Sequence, residues 1–164
     1  MRGSLIVLFL FVFSRAAFSE PEPFADIHLH FNWDQKEIIS AGEVVRRLQA
    51  NNIVLGLVTA TPSELALELA DAAGPWMAPF FSPYLTPLHR NIWFNDDKVL
   101  EEAEKGLAAG RYKGIGELHV WAGFGPRRDN PVLVGLLQLA EKYQVPFLIH
   151  TEASSHLFFT PICQ

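Results

Sequence analysis

Two of the six histidines of this chain, His28 and His30, stand two residues apart in Ala25-Asp26-Ile27-His28-Leu29-His30. A strand repeats every two residues, so Asp26, His28 and His30 share one face while Ile27 and Leu29 take the other. Two imidazoles side by side at a strand end supply half of a tetrahedral or five-coordinate metal site. Further along, Glu117 lies in Gly114-Ile115-Gly116-Glu117-Leu118-His119, and His150 closes Pro146-Phe147-Leu148-Ile149-His150. Imidazole with carboxylate suits zinc, and one glutamate can bridge two ions while histidines hold the outer positions. Such a set could hold one or two divalent ions.

These residues need a scaffold, and the pattern around them alternates strand with helix. Phe24 to Phe31 reads as a first strand, Ile53 to Val58 as a continuous apolar run suited to a buried parallel strand, and Met77 to Leu85 as a third. Tyr112 to Val120 and Val145 to Thr151 read as the fourth and fifth. Between them, Ser40-Ala41-Gly42-Glu43 and Thr61-Pro62-Ser63-Glu64 read as capping boxes, the second with proline at the first helical position. The helix after Thr61 is predicted to stop at Gly74-Pro75, a third helix to open at Asn95 and close at Gly110, and a fourth to open at Asn130-Pro131. Five strands and four helices in alternation predict a parallel sheet with right-handed crossovers. The first strand has no glycine-rich phosphate loop after it, which disfavours a dinucleotide-binding sheet.

The first 19 residues read as a cleavable leader. Met1-Arg2 opens it, Leu5 to Phe13 is unbroken Leu, Ile, Val and Phe, and Ala17-Phe18-Ser19 fits the small-x-small rule for cleavage before Glu20. Nine apolar residues fall short of the ~20 that span a bilayer, so no stable membrane anchor is expected. The predicted product is an exported, periplasmic or secreted domain over residues 20–164. The formal charge of the chain is −5, and cleavage removes Arg2 and Arg15 but no acid. That balance argues against a nucleic-acid backbone as main partner, because phosphates call for clustered Lys and Arg. Apolar residues make up 49 % of the chain, enough for one domain with its own core. One cysteine, Cys163, allows no internal disulfide, so stability must come from packing or metal.

The order of Asp26-x-His28-x-His30, Glu117 within Gly-Ile-Gly-Glu, and His150, each at a strand end, resembles the metal-dependent hydrolases of the amidohydrolase superfamily. The likeness is to the amidohydrolase-related and TatD-like branches and covers about residues 24–156. It implies a partial TIM-type (β/α)8 barrel, with about five parallel strands and four helices and the last three strands missing. A full barrel of this kind normally takes ~250 residues, with its chemistry at the C-terminal ends of the strands. It further implies His28, His30, Glu117 and His150 as metal ligands, Glu117 as the bridging carboxylate, and one or two divalent ions, zinc by ligand chemistry.

Asp26 is expected behind the ligands rather than among them. His119 and Glu152 are expected to line the pocket, with His156 as a further candidate there. His89, Trp33, Trp93 and Trp121 are expected to be loop or packing residues. The family's sixth-strand histidine and eighth-strand aspartate, its usual general base, have no counterpart in the chain. The expected function is therefore an exported hydrolase of amide, ester, lactone or phosphoester bonds in small molecules, truncated and impaired as it stands. The alternatives are a non-catalytic metal-binding half-barrel or broken-gene product and, within the class, a TatD-like deoxyribonuclease. Bare edges on strands one and five leave room for a homo-oligomer or a complementing fragment.

Overall fold

A computed structural model describes residues 22–120 and 125–151. Five parallel strands run in sequence order across one curled sheet: β1 (Phe24–His30), β2 (Ile53–Thr59), β3 (Met77–Phe81), β4 (Gly114–Val120) and β5 (Phe147–Thr151). The sheet is a half-barrel of the α/β class, as the alternating pattern predicts. Among the described residues, five α-helices occur rather than four: α1 (Trp33–Lys36), α2 (Ala41–Ala50), α3 (Glu64–Ala73), α4 (Lys98–Ala108) and α5 (Pro131–Tyr143). The additional one, α1, is a single turn and buries no residue, so it leaves no apolar period to read in the sequence.

Local chemistry sets most boundaries. Ser40 Oγ caps α2 by accepting the Glu43 N–H at 3.3 Å, whereas the Glu43 carboxylate turns outward to Arg46 and Arg47. Asn130 Oδ1 accepts the N–H groups of Val132 and Leu133, both at 3.0 Å, with Pro131 as the first residue of α5. The second predicted capping box, with Thr61 as cap and Pro62 as first helical residue, does not form: α3 starts at Glu64 and Ser63 stands at its N-cap without a side-chain cap bond. The Ser63 hydroxyl is instead buried, donating to the Ser82 carbonyl at 2.7 Å and accepting the Ser82 N–H at 3.0 Å. That pair ties the start of α3 to the end of β3.

It also explains why β3 ends at Phe81 rather than Leu85. The Ser82 backbone is committed to Ser63, and Pro83 has no N–H to continue a ladder. Two 3-10 turns follow, Pro87–Asn91 and Trp93–Asn95, and they delay α4 to Lys98. Trp93 is fully buried there, its ring packed into the core beside Val99 and Leu133.

The core has two parts. One packs α4 and α5 on β3 and β4 around Phe81, Trp93, Ile115 and Leu136. The other packs α2 and α3 on β2 and the end of β1 around Phe31, Val45, Val58 and Leu69. The first half of β2 is less covered than a continuous apolar run predicts, since Val54 and Leu55 are exposed and Val58 is not. In register, His30 lies opposite Thr59 and His119 opposite His150. Apart from a step between Phe24 and Ala25 at the start of β1, the pairing slips between Asp26 and Leu29 on β1 and between Ile115 and Leu118 on β4, and these two irregularities fall beside the histidines and the glutamate.

Candidate metal centre

Each irregularity is closed by a specific bond that aims a side chain. On β1 the Asp26 carboxylate accepts the His28 N–H at 3.1 Å, satisfying that donor where the ladder steps out of register. On β4 the Glu117 N–H donates to Thr59 Oγ1 of β2 at 3.1 Å, reaching across the concave face of the sheet. Gly116, just before it, has φ +128, a conformation open to glycine and strained for any other residue. A Cβ there would lie 2.3 Å from the Leu148 carbonyl oxygen. Only glycine lets β4 turn Glu117 inward this close to β5.

The Glu117 side chain is buried, 4 % exposed, and three histidines surround it. Its Oε2 lies 3.2 Å from His28 Nε2 and 3.3 Å from His30 Nε2, and those two nitrogens are 3.1 Å apart. The three donor atoms form a nearly equilateral triangle. A tetrahedral zinc with bonds of ~2.0–2.1 Å holds its donors about 3.3 Å apart, so the triangle matches one face of such a polyhedron and leaves a fourth position open. The two rings are tilted at 57° to each other, which lets their in-plane lone pairs converge. The residues present therefore fit a divalent ion.

The other carboxylate oxygen, Oε1, lies 2.7 Å from His150 Nδ1. Burial is the largest influence on Glu117 and pushes its pKa up. Hydrogen bonds from His28 and His150, with the charge of His119 and His28, override it and hold the group below its ordinary 4.5. The carboxylate is thus ionised and can only accept, so His150 carries a proton on Nδ1 and donates it. His119, His150 and Glu117 form a second donor group with atoms within 4.8 Å of one another. Its shape is different. The His119 and His150 rings stack at 4.6 Å and 22°, so their in-plane lone pairs run side by side, and 2.7 Å is a hydrogen-bond distance rather than a polyhedron edge. The first group matches one face of a tetrahedral site, and in the second His150 donates to Glu117.

His30 is held below its ordinary 6.5, chiefly by burial and against the pull of Glu117, which keeps its lone pair available for a metal. His119 is pushed down to about 4, by burial first and by the charge of Arg90 second. Arg90 donates to His119 Nε2 at 2.8 Å. The neutral ring therefore has its proton on Nδ1, 2.7 Å from the Tyr84 hydroxyl, which also accepts the His119 backbone N–H at 2.7 Å. All of this opens into one cavity of about 360 Å³. Compared with known protein families, curated proteins and solved structures, the chain matches none.

The structure thus brings together His28, His30, Glu117 and His150, sets Asp26 directly behind His28, and puts His119 in the same cavity. Glu152, His156 and Trp121 lie outside the described residues. His89 is away from the cavity and buried, with Nδ1 3.3 Å from the Pro83 carbonyl and Nε2 3.2 Å from Asp96. Trp93 is core, whereas Trp33, expected to pack, is 42 % exposed and lines the cavity. Asp34 lines it too, with Oδ1 accepting the Gln35 N–H at 3.0 Å. Sequence reasoning did not single out Thr59, Tyr84 or Arg90. Their one signal was position, since Thr59 ends β2 and the other two follow β3, where barrels of this class carry their chemistry.

Proposed function

We propose that this chain is a metal-dependent hydrolase of small molecules carrying an amide, ester, lactone or phosphoester bond. One zinc ion would be held by His28, His30 and Glu117. The triangle of donor atoms with edges of 3.1, 3.2 and 3.3 Å carries this reading. The buried Glu117 carboxylate, held below its ordinary 4.5 by its histidine neighbours, supports it further as an anionic donor for a cation. The cavity volume of about 360 Å³ suits a small ligand rather than a polymer.

A divalent ion in that position supplies Lewis acidity, which activates water near neutral pH and polarises a carbonyl or phosphoryl oxygen. The chain's own residues shape the site around it, with no residue assigned as general base. His150 donates to Glu117 and fixes its plane. Asp26 locks the backbone of His28. Tyr84 and Arg90 hold His119 as one neutral tautomer against His150. Trp33 gives the cavity an apolar wall. The resemblance to amidohydrolases in the Asp-x-His-x-His, Glu117 and His150 pattern points to the same class of reaction.

Elemental analysis of purified protein should find about one zinc per chain. A panel of nitrophenyl esters, lactones, phosphoesters and acyl amides, with plasmid DNA as the nuclease arm, then tests turnover. Turnover that a chelator abolishes, that zinc restores and that Glu117→Gln lacks is the expected result. Turnover untouched by chelation, or full zinc retention by the His28→Ala/His30→Ala double variant, would overturn the proposal. Zinc binding with no turnover on any arm would favour the non-catalytic metal-binding alternative.

A further inference from the structure

The cavity wall continues past the triangle. Asn32 follows His30 by two residues in extended backbone (φ −87, ψ 173), Thr61 follows Thr59 by two, and both line the cavity. Backbone bonding between the two segments runs on with them. The Thr59 carbonyl accepts the Phe31 N–H at 3.2 Å, the Thr61 carbonyl accepts the Trp33 N–H at 3.1 Å, and Asn32 Oδ1 accepts the Thr61 N–H at 2.8 Å. The Asn32 N–H donates to Gln35 Oε1 at 2.6 Å. A backbone N–H can only donate, so the Asn32 atom facing Thr61 is the amide oxygen, and Nδ2 is left over. Thr61 is 9 % exposed, and among the described residues neither its hydroxyl nor Asn32 Nδ2 has a hydrogen-bond partner. No side-chain nitrogen or oxygen among them is both sealed from solvent and unpartnered, so these two atoms reach open space, and the space both residues border is the cavity.

We propose that Asn32 and Thr61 are the substrate-binding pair of this cavity, and that they hold a carbonyl oxygen of the substrate besides the bond that is cut. This rests on the hydrolase reading and narrows its substrate class to small molecules with a second carbonyl. A two-residue repeat of extended chain rises about 6.6 Å, so the pair stands roughly that far beyond His30 and Thr59, within the span of a small molecule bound at the triangle. An amide N–H and a hydroxyl are neutral donors, and one carbonyl oxygen has two lone pairs to accept both. Backbone bonds hold the two residues in place before anything binds, so little ordering remains to be done on binding. A ligand with no acceptor there strips water from both donors and returns no bond, which is how the pair discriminates.

The test follows benzamide, benzoate and toluene, three single rings of similar size, binding to the chelator-treated full chain by ligand-observed NMR, where no metal can hold the carbonyl. Benzamide should bind at least ~5-fold more tightly than toluene, the size of one neutral hydrogen bond or more. Thr61→Val keeps the shape and the backbone bonds but removes the hydroxyl, and should lower that preference, whereas Thr61→Ser should keep it. Asn32→Asp keeps an oxygen toward the Thr61 N–H but replaces the free donor with an acceptor, and should abolish it. Toluene binding should be the same in all variants, and a parallel loss of toluene would mark a packing defect and count against the pair. Circular dichroism checks folding, and Asn32→Asp carries the test if Thr61→Val does not fold. Equal binding of benzamide and toluene by the wild-type chain, or an unchanged benzamide preference in either loss variant, would overturn the proposal. Binding of benzoate alone would overturn it too, by placing recognition on charge. Failure of the wild-type chain to take up zinc would sink the hydrolase reading instead, because the chelator-treated protein reports on the pair without the metal.

Discussion

Glu117 has both oxygens engaged and no spare one for solvent. One closes the His28–His30 triangle and the other takes the His150 proton. The residues that hold the histidines therefore matter nearly as much as the histidines. Asp26 reaches the His28 N–H and nothing in the triangle itself. Asp26→Ala should leave the fold intact and weaken zinc binding about 10–100-fold, as loss of an outer-shell partner does. Competition with a chromophoric chelator measures it, and an unchanged affinity would remove Asp26 from the support of the site. Of the three cavity residues sequence reasoning passed over, Thr59 and Tyr84 act in this structure through hydrogen bonds to backbone N–H groups. Such bonds leave no motif, because any hydroxyl at the right place in space can make them.

At the scale of elements, β4 is where geometry is most tightly constrained. Gly114 gives room to the Phe80 ring, which a Cβ would approach within 2.4 Å, and Gly116 gives room to the β5 backbone. Gly116→Ala meets both a left-handed φ and a backbone oxygen that cannot yield. It should cost more than ~1 kcal/mol in urea unfolding and should lower zinc affinity through Glu117. A variant as stable as the parent would show that β4 relaxes there. The Ser63–Ser82 pair is a second such joint. Ser63→Ala leaves a buried N–H and a buried carbonyl without their partner, and a loss of ~1–3 kcal/mol is expected by the same measurement. Loss within error would mean water replaces the hydroxyl.

For the whole molecule, the cavity sets a pH limit on the metal-free protein. His119 and His30 both lie below their ordinary 6.5 in the folded chain. The unfolded chain therefore takes up protons first as the pH falls. The stability linked to these groups is complete above 6.5 and is lost progressively toward about 4, where folded His119 itself titrates. Glu117, held below 4.5, adds its own loss below that value. Melting in the presence of a chelator should move to lower temperature between pH 7 and pH 4.5, and a flat profile over that interval would refute the assignment. Zinc at 100 times its Kd should raise stability by ~2.7 kcal/mol and protect most at neutral pH, where the ligands are unprotonated. The leader reading concerns residues outside the described ones. Terminal sequencing of exported protein should start at Glu20, and a start at Met1 would contradict it.

The sequence alone was enough for the α/β class, the five strands in order, and the identity of the residues that meet at the strand ends. Local period and spacing carried alternation for His28 and His30, apolar runs for the strands and caps at Ser40 and Asn130, whereas Glu117 and His150 stood out by strand-end position and by the resemblance to amidohydrolases. The shape of the site was decided by tertiary structure. Whether Glu117 faces inward depends on a slip in register on β4, a glycine at φ +128 and a threonine two strands away. Whether His150 presents a lone pair or a proton depends on which carboxylate oxygen stands beside it. Ser63 could cap a helix by its local sequence, but a strand end 19 residues on was a better partner because burial left that backbone with no water to bond. Local patterns determine which elements form; contacts between residues far apart in the chain determine where each lone pair and proton points.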